Sequence, residues 1–272
     1  MSLAEIYDDY LVATSPDKER DPLRLFVTDV GKCPRAVALR LTQAERKPVT
    51  PTSRAMWDVA EYIEETLMKA LDAKNLLYDY QAPIAIDDHE NWGGRLDIAR
   101  WDWDKLRIVE VKTINPNAFK WGDRPKLQHV MQATIYDHYY DYDRESLDPL
   151  LWYFSRGDDK NEPEEYTITP DFAPCEVLMD SLDKMRDNLP ELPPVLPRLL
   201  KEFDGGKTIK QGPDWRCKPI YCDYLGVSCF PDISWNKWVG LEKGCHITDK
   251  ADMGVLSRWA QEQAHEALLA AL

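Results

Sequence analysis

Glu110 and Lys112 stand two residues apart in the run KLRIVEVKT (105–113). In an extended strand they share a face with Ile108, while Val109 and Val111 point the other way. Upstream, across a polar turn from Asp102 to Lys105, GGRLDIARW (93–101) has the same two-residue period, which predicts an antiparallel hairpin. On that strand Arg95, Asp97 and Ala99 share a face, and a suitable register sets Asp97 opposite Glu110. Two carboxylates held so close repel unless a cation or a proton lies between them. Oxygen donors on a rigid sheet suit Mg²⁺ or Mn²⁺, which keep waters and accept a substrate phosphate. Such an ion polarises a phosphoryl oxygen and lowers the pKa of an attacking water, and the Lys112 ammonium adds positive charge where negative charge grows. The trio therefore fits phosphate-ester hydrolysis. A plainer alternative is that Glu110 and Lys112 form an ion pair on an ordinary amphipathic strand.

Two further groups of residues lie in helical patterns. Trp57, Ala60, Glu64, Leu67 and Leu71 recur at three- and four-residue steps, predicting a helix over Arg54 to Lys74 with Glu64 as the odd member of an apolar stripe. A buried glutamate needs a partner, and a metal ion would supply one; alternatively Glu64 lies at the edge of the stripe and reaches water. After the hairpin, His129, Gln132, Tyr136 and Tyr139 form one polar and aromatic face of a helix over Lys126 to Tyr142. That face could stack on bases, or it could simply pack on a sheet through its tyrosines.

These residues have to be positioned by the elements around them. Leu25 to Arg40 reads as a loop running into a helix, with Thr28 or Asp29 as its cap. LLWYFSR (150–156) and EEYTITP (164–170) read as strands, and Leu178 to Asn188 as a helix. The proline-rich LPELPPVLP (189–197) reads as a joint, followed by a cysteine-bearing region and a last helix over Ala251 to Leu272. Strands and helices are both expected along the chain, and the fold expected is α/β, with a central mixed sheet flanked by helices, as the family resemblance given below implies.

Cys217, Cys222 and Cys229 follow one another as C-x4-C-x6-C, and Cys33 lies far upstream in GKCPR. Three clustered thiols need a fourth ligand. With Cys33 they would suit a [4Fe–4S] cluster that ties the two ends of the chain together, or a structural Zn²⁺, for which Cys245 and His246 offer alternative ligands. Cys175 and Cys245 have no partner at a telling spacing and read as buried thiols.

Taken in order, Gly94-Arg95-Leu96-Asp97, then Glu110-Val111-Lys112-Thr113, then Gln132 and Tyr136 resemble the motifs of RecB-like PD-(D/E)XK nucleases. The resemblance implies that Asp97 and Glu110 bind the metal, that Val111 lends a backbone carbonyl and that Lys112 orients water or stabilises the transition state. Gln132 and Tyr136 would help place the lysine and the nucleic-acid strand. Where the family often has Gly-x-x-x-His in an earlier helix, this chain reads Ala60 to Glu64, so Glu64 is the expected replacement metal ligand. The cysteine arrangement resembles that of the CRISPR-associated exonucleases of the Cas-four group, related helicase-nuclease subunits and phage-type relatives, where one cysteine precedes the nuclease motifs and three follow. On this resemblance, Cys33, Cys217, Cys222 and Cys229 ligate the cluster. The expected layout is a tail over 1–24, a restriction-endonuclease-like nuclease domain over 25–200, and an iron-sulfur lobe with a helix over 201–272.

With 272 residues, 44% hydrophobic and 30% charged, the composition is that of a globular protein. A net charge of −14 argues against a protein that coats nucleic acid, but leaves room for one that meets phosphate locally through a few cations. The opening residues lack a basic start followed by an apolar segment, and no apolar run is long enough to span a bilayer, so a cytoplasmic location without a membrane is expected. The expected activity is that of a DNA nuclease, in particular an exonuclease on single strands or free ends. No helicase motif is present, so an unwinding, recombination or CRISPR-adaptation partner would be a separate chain, and self-association is open. The alternatives are a noncatalytic DNA-binding or assembly subunit with the same fold, and a structural zinc protein with a chance E-x-K hairpin.

Overall fold

A computed structural model describes residues 22–121, 124–140, 145–156 and 162–189, with Ser2, Ile6, Tyr7, Tyr10, Leu11, Ala13 and Asp223. The elements in chain order begin with β1 (Leu25–Phe26), a 3₁₀ turn (Val27–Asp29), α1 (Pro34–Leu41) and α2 (Pro51–Asp72). There follow β2 (Leu77–Tyr80), β3 (Pro83–Ile84), β4 (Trp92–Arg95), β5 (Ile98–Asp102) and β6 (Lys105–Ile114). The rest are α3 (Pro116–Trp121), α4 (Leu127–Tyr139), β7 (Leu150–Ser155), β8 (Glu164–Thr167) and α5 (Ala173–Asp187). No helix among the described residues is long and apolar enough to cross a membrane.

Two compact units share the chain, each discontinuous in sequence: Met1–Gly31 with Val49–Cys175, and Lys32–Pro48 with Glu176–Leu272. The first holds a five-stranded sheet in the order β2-β5-β6-β7-β8 and a three-stranded sheet in the order β1-β4-β3. In the larger sheet β6 pairs antiparallel with β5 and parallel with β7. The parallel step needs a crossover, which α3 and α4 provide. The fold is therefore mixed α/β, with helices against both faces of a mixed sheet.

Strand β6 occupies the middle because its residues are apolar on both sides. Val109 and Val111 pack with Ile98 and Leu150 under Leu67 and Leu71 of α2. On the opposite face, Ile114 packs with Leu151 and Tyr153 under Ala133 and Val130 of α4. Each such aliphatic side chain contributes about 1.5–3 kcal/mol when fully buried. Glu110 points to the α4 side and is 0% exposed.

The hairpin differs from the sequence expectation in one respect that matters for the chemistry. GGRLDIARW is not one strand: it breaks at Leu96 and Asp97, with β4 in the small sheet and β5 in the large one. At the break the chain pairs instead with the segment before β3, as the Leu96 amide donates to Ala82 O (3.0 Å) and the Gln81 amide to Asp97 O (2.9 Å). The β5–β6 register, Ile98 with Val109 and Ala99 with Ile108, runs on to set Asp97 against Glu110. The turn between β5 and β6 places Trp103 at φ 62° with its indole 94% exposed.

Other boundaries also shift. Neither Thr28 nor Asp29 caps α1: the Asp29 carboxylate accepts the Phe26 amide (2.9 Å) within the 3₁₀ turn, and α1 starts at Pro34 after Cys33. Proline is tolerated there because the first-turn N–H is unused. Helix α5 begins five residues before the expected Leu178. On α2 the stripe is half-buried from Ala60 onward, with Leu67 and Leu71 packed against the sheet, while Trp57 is 48% exposed.

Gly94 is required for close approach. A Cβ there would lie 2.8 Å from Tyr136 Cε1 and 2.9 Å from Val27 Cγ2. The expected outcome for Gly94→Ala is a loss of about 1–3 kcal/mol of stability from overpacking, read by denaturant unfolding. An unchanged midpoint would show that Tyr136 yields without cost.

Candidate active site

Strand β6 delivers Glu110 and Lys112 to the same face, where the Lys112 ammonium contacts Glu110 Oε1. Asp97 reaches them from the strand break, and its Oδ2 accepts the Val111 amide at 2.8 Å. Glu64 projects from α2, and its Oε1 accepts from the Gln81 side chain at 3.0 Å. The three acids sense one another: Asp97 raises the pKa of both Glu64 and Glu110, and Glu64 adds to the effect on Glu110.

Burial is the larger cause of these shifts. It pushes Glu110 up to about 8 and Glu64 up to about 7, with repulsion from Asp97 next in each case. Asp97 is also raised by burial, against the opposing pull of Lys112 and the Val111 amide. For Lys112, burial works to lower the pKa, but Glu110 and Asp97 outweigh it and the net direction is up. The lysine is therefore a cation at neutral pH. Glu110 Oε2 is buried and has no hydrogen-bond donor. An orphaned carboxylate oxygen beside two other acids is an electrostatic deficit of the kind a cation removes.

The acids do not already form a closed cage. Among the described residues no three His, Cys, Asp or Glu side chains are grouped to hold an ion. Each acid instead has a protein donor on it: Gln81 on Glu64, Val111 on Asp97 and Lys112 on Glu110. The donor set is all oxygen and retains an unused buried oxygen on Glu110, which fits a hard divalent cation. Val111 contributes its amide here, through the bond to Asp97.

Helix α4 roofs the centre. Gln132 and Tyr136 are both buried and hydrogen-bonded to each other, Nε2 to OH at 3.3 Å. The Tyr136 phenol is raised by burial and then by Glu110, and it also bonds the Arg95 backbone. The fourth member of the expected face, Tyr139, instead packs edge-on against Phe172 at 5.5 Å.

Sequence reasoning missed Gln81, Tyr80 and Tyr153. Gln81 sits at φ 50° between β2 and β3 and ties Glu64 to Tyr80, its Nε2 lying 3.2 Å from the Tyr80 hydroxyl. Tyr153 pairs with Lys112 across the parallel β6–β7 ladder and is 0% exposed. Its hydroxyl accepts the Lys126 amide (3.1 Å) and meets His129 Nδ1 at 2.8 Å. The signal for Tyr153 was its place in an apolar strand, which reads as core.

Of the expected cluster ligands, Cys33 is half-buried at the N-cap of α1, while Cys217, Cys222 and Cys229 lie outside the described residues, as do Cys245 and His246. Asp223, which follows Cys222, is described: its carbonyl accepts the Lys47 amide at 2.9 Å. Cys175 is buried, and burial pushes its thiol up to about 12.

No model of a known protein family matches the chain. No curated protein matches it. Solved structures with a similar backbone include the crystal structure of SSO0001, 18% identical, with a TM-score of 0.45 over 69% of this chain and 88% of that one. Another is an alkaline exonuclease (LHK-Exo) from Laribacter hongkongensis, 12% identical, with a TM-score of 0.43 over 66% of this chain and 92% of that one.

His129 provides a pH test of the packing around the centre. Burial, and then Lys112 and Lys126, lower its pKa from 6.5 to about 3. A depressed folded pKa means that the unfolded chain takes up the proton first, so this contribution is complete above about 6.5 and is lost as pH falls toward about 3. Raised carboxylates pull the other way over part of this range, so the measurement is a difference. Between pH 7 and 4 the melting temperature of the wild type should fall further than that of His129→Gln; parallel curves would show that His129 is not held neutral.

Proposed function

We propose that this chain is a metal-dependent deoxyribonuclease with a PD-(D/E)XK centre at Asp97, Glu110 and Lys112. The observation that carries this reading is Glu110: fully buried, facing two more acids, with one oxygen lacking a donor and the other on the Lys112 ammonium. A bound cation would relieve this arrangement at neutral pH, as a proton on Glu110 does without one, since an uncompensated buried carboxylate costs several kcal/mol.

Glu64, Asp97 and Glu110 would hold Mg²⁺ or Mn²⁺, with the Val111 carbonyl as a further oxygen. When bound, the ion would supply Lewis acidity at the phosphoryl oxygen and a more acidic water. The protein groups do the remaining work. Lys112, kept protonated by its acidic neighbours, stabilises charge on the phosphoryl group as the ester bond breaks. The Val111 amide fixes the Asp97 carboxylate, and Gln81 fixes Glu64. Gln132 and Tyr136 close the site from α4 and restrict water. The substrate is DNA, cut from single-stranded or free ends, in recombination, repair or CRISPR-related processing.

Two measurements test the centre. Lys112→Ala and Asp97→Asn should each reduce Mg²⁺- or Mn²⁺-dependent degradation of end-labelled DNA by about a hundredfold or more, with an unchanged circular dichroism spectrum. Full activity in either variant removes the proposal, and DNA binding without cleavage by the wild type would make the chain a binding or assembly subunit. The second measurement is thermal. A raised carboxylate pKa contributes stability that is present below the unfolded value of 4.5 and lost as pH rises through about 8 for Glu110. Mn²⁺ should therefore raise the melting temperature at pH 8 in the wild type and not in Asp97→Asn.

We also propose that Cys33, Cys217, Cys222 and Cys229 hold a [4Fe–4S] cluster, with structural Zn²⁺ as the competing occupant. The Lys47–Asp223 backbone bond supports the reading, because it ties the residue after Cys222 to the segment that follows α1. Anaerobically purified protein should be brown, with about four irons and four sulfides per chain. A colourless protein with one zinc would decide for the alternative.

A further inference from the structure

In the larger unit the described arginines are almost all held by the protein itself. Arg54 pairs with Asp58 (2.9 Å), and Arg100 and Arg107 share Asp102 (3.6 and 3.3 Å). Arg124 grips both oxygens of Glu164 (2.7 and 2.8 Å). Arg24 donates to Trp92 O (3.4 Å) and Arg156 to Met56 O (3.5 Å). Arg95 differs from all of these: among the described residues its guanidinium has no acid and no carbonyl on it.

Its position makes this unusual. Arg95 ends β4, two residues before Asp97, and its side chain is exposed. Its charge reaches the centre, since it counts among the groups that favour ionisation of Glu64 and Asp97. A long, flexible cation beside three acids in a protein of net charge −14 would be expected to fold onto one of them. Its backbone is fixed while its side chain stays exposed. Arg95 is opposite Pro83 in the β3–β4 pair, its neighbour Gly94 is pressed against Tyr136, and its own backbone bonds Tyr136.

We infer that Arg95 is a substrate-binding residue whose guanidinium takes a phosphodiester group of the DNA strand at the mouth of the centre, next to the bond being cut. The inference rests on the nuclease reading above. A planar fork of N–H donors matches two phosphate oxygens, and an arginine without an intramolecular partner need not break an ion pair to bind. The same side chain resolves the charge problem locally: the strand's phosphates meet a forked cation before they meet the acids.

The test is binding of a fluorescein-labelled single-stranded oligonucleotide, with Ca²⁺ replacing Mg²⁺ or Mn²⁺, titrated at several salt concentrations alongside steady-state cleavage. Arg95→Gln should weaken binding about tenfold and flatten the slope of log affinity against log salt by about 0.7, the value for one phosphate contact on a single strand. In cleavage the loss should appear in KM, with kcat within about threefold of wild type. Arg95→Lys should restore the slope and part of the affinity, because it keeps the charge and loses the fork. The melting temperature should move little, as the guanidinium makes no hydrogen bond or ion pair among the described residues and acts on the acids only through its charge. Unchanged affinity and slope in Arg95→Gln overturn the inference while leaving the nuclease reading intact, provided the wild type cuts DNA. A wild type that neither binds nor cuts DNA removes the nuclease reading itself, and the inference with it.

Discussion

Glu110 sets the constraint that the rest of the unit satisfies. A carboxylate on the central strand, closed off from water by α4, stays charged only if something cationic answers it, and Lys112 two residues on the same strand does so in part. The alternation that brings the two side chains together also commits Val109 and Val111 to the opposite face, where α2 needs them for its own packing. One short run of sequence thus fixes the sheet's middle strand, both helix contacts and the polar centre. Changing its register by one residue would bury the valines where the acids stand and present charge to α2.

The acids reach this point from separate elements, and each is oriented by a different donor: a β6 amide for Asp97, a loop side chain for Glu64. Such division matters because like charges drift apart unless the backbone holds them. The fixed partners keep the group assembled at a distance short enough for mutual repulsion to be felt, which is why burial and Asp97 together lift Glu64 and Glu110. Tyr153 and His129 serve the same end from the other side, joining β7 to the first turn of α4 beside Lys112.

Much of this could be read from residue order alone. Period two around Glu110 and Lys112 identified the strand and its faces, and helical spacing identified α2 and α4, because both patterns follow from local geometry. What escaped was set by contacts distant in sequence. The passage from one sheet to the other at Leu96–Asp97 lies opposite Gln81 and Ala82, and nothing in GGRLDIARW announces it. Gln81 is one polar residue at a left-handed turn, and Tyr153 is one aromatic in an apolar strand, so neither type nor spacing marks them. Helical spacing puts Trp57 on the apolar stripe of α2, yet it is exposed, since spacing gives a face and not how far along it the packing reaches. The cap expected from Thr28 or Asp29 failed because the Asp29 carboxylate had a nearer amide to accept, that of Phe26.

The passage of the chain from one sheet to another at Leu96–Asp97 has an evolutionary reading. One antiparallel register runs through the joint: Tyr80 with Ile98, then the Gln81–Asp97 and Ala82–Leu96 backbone bonds, then Pro83 with Arg95. A single-residue insertion or deletion there would throw one side of that ladder out of step in the same event that carries the aspartate away from its glutamate. Selection for a stable fold therefore also guards the placement of the aspartate, and drift at this point is policed even in a lineage that has no use for the acids.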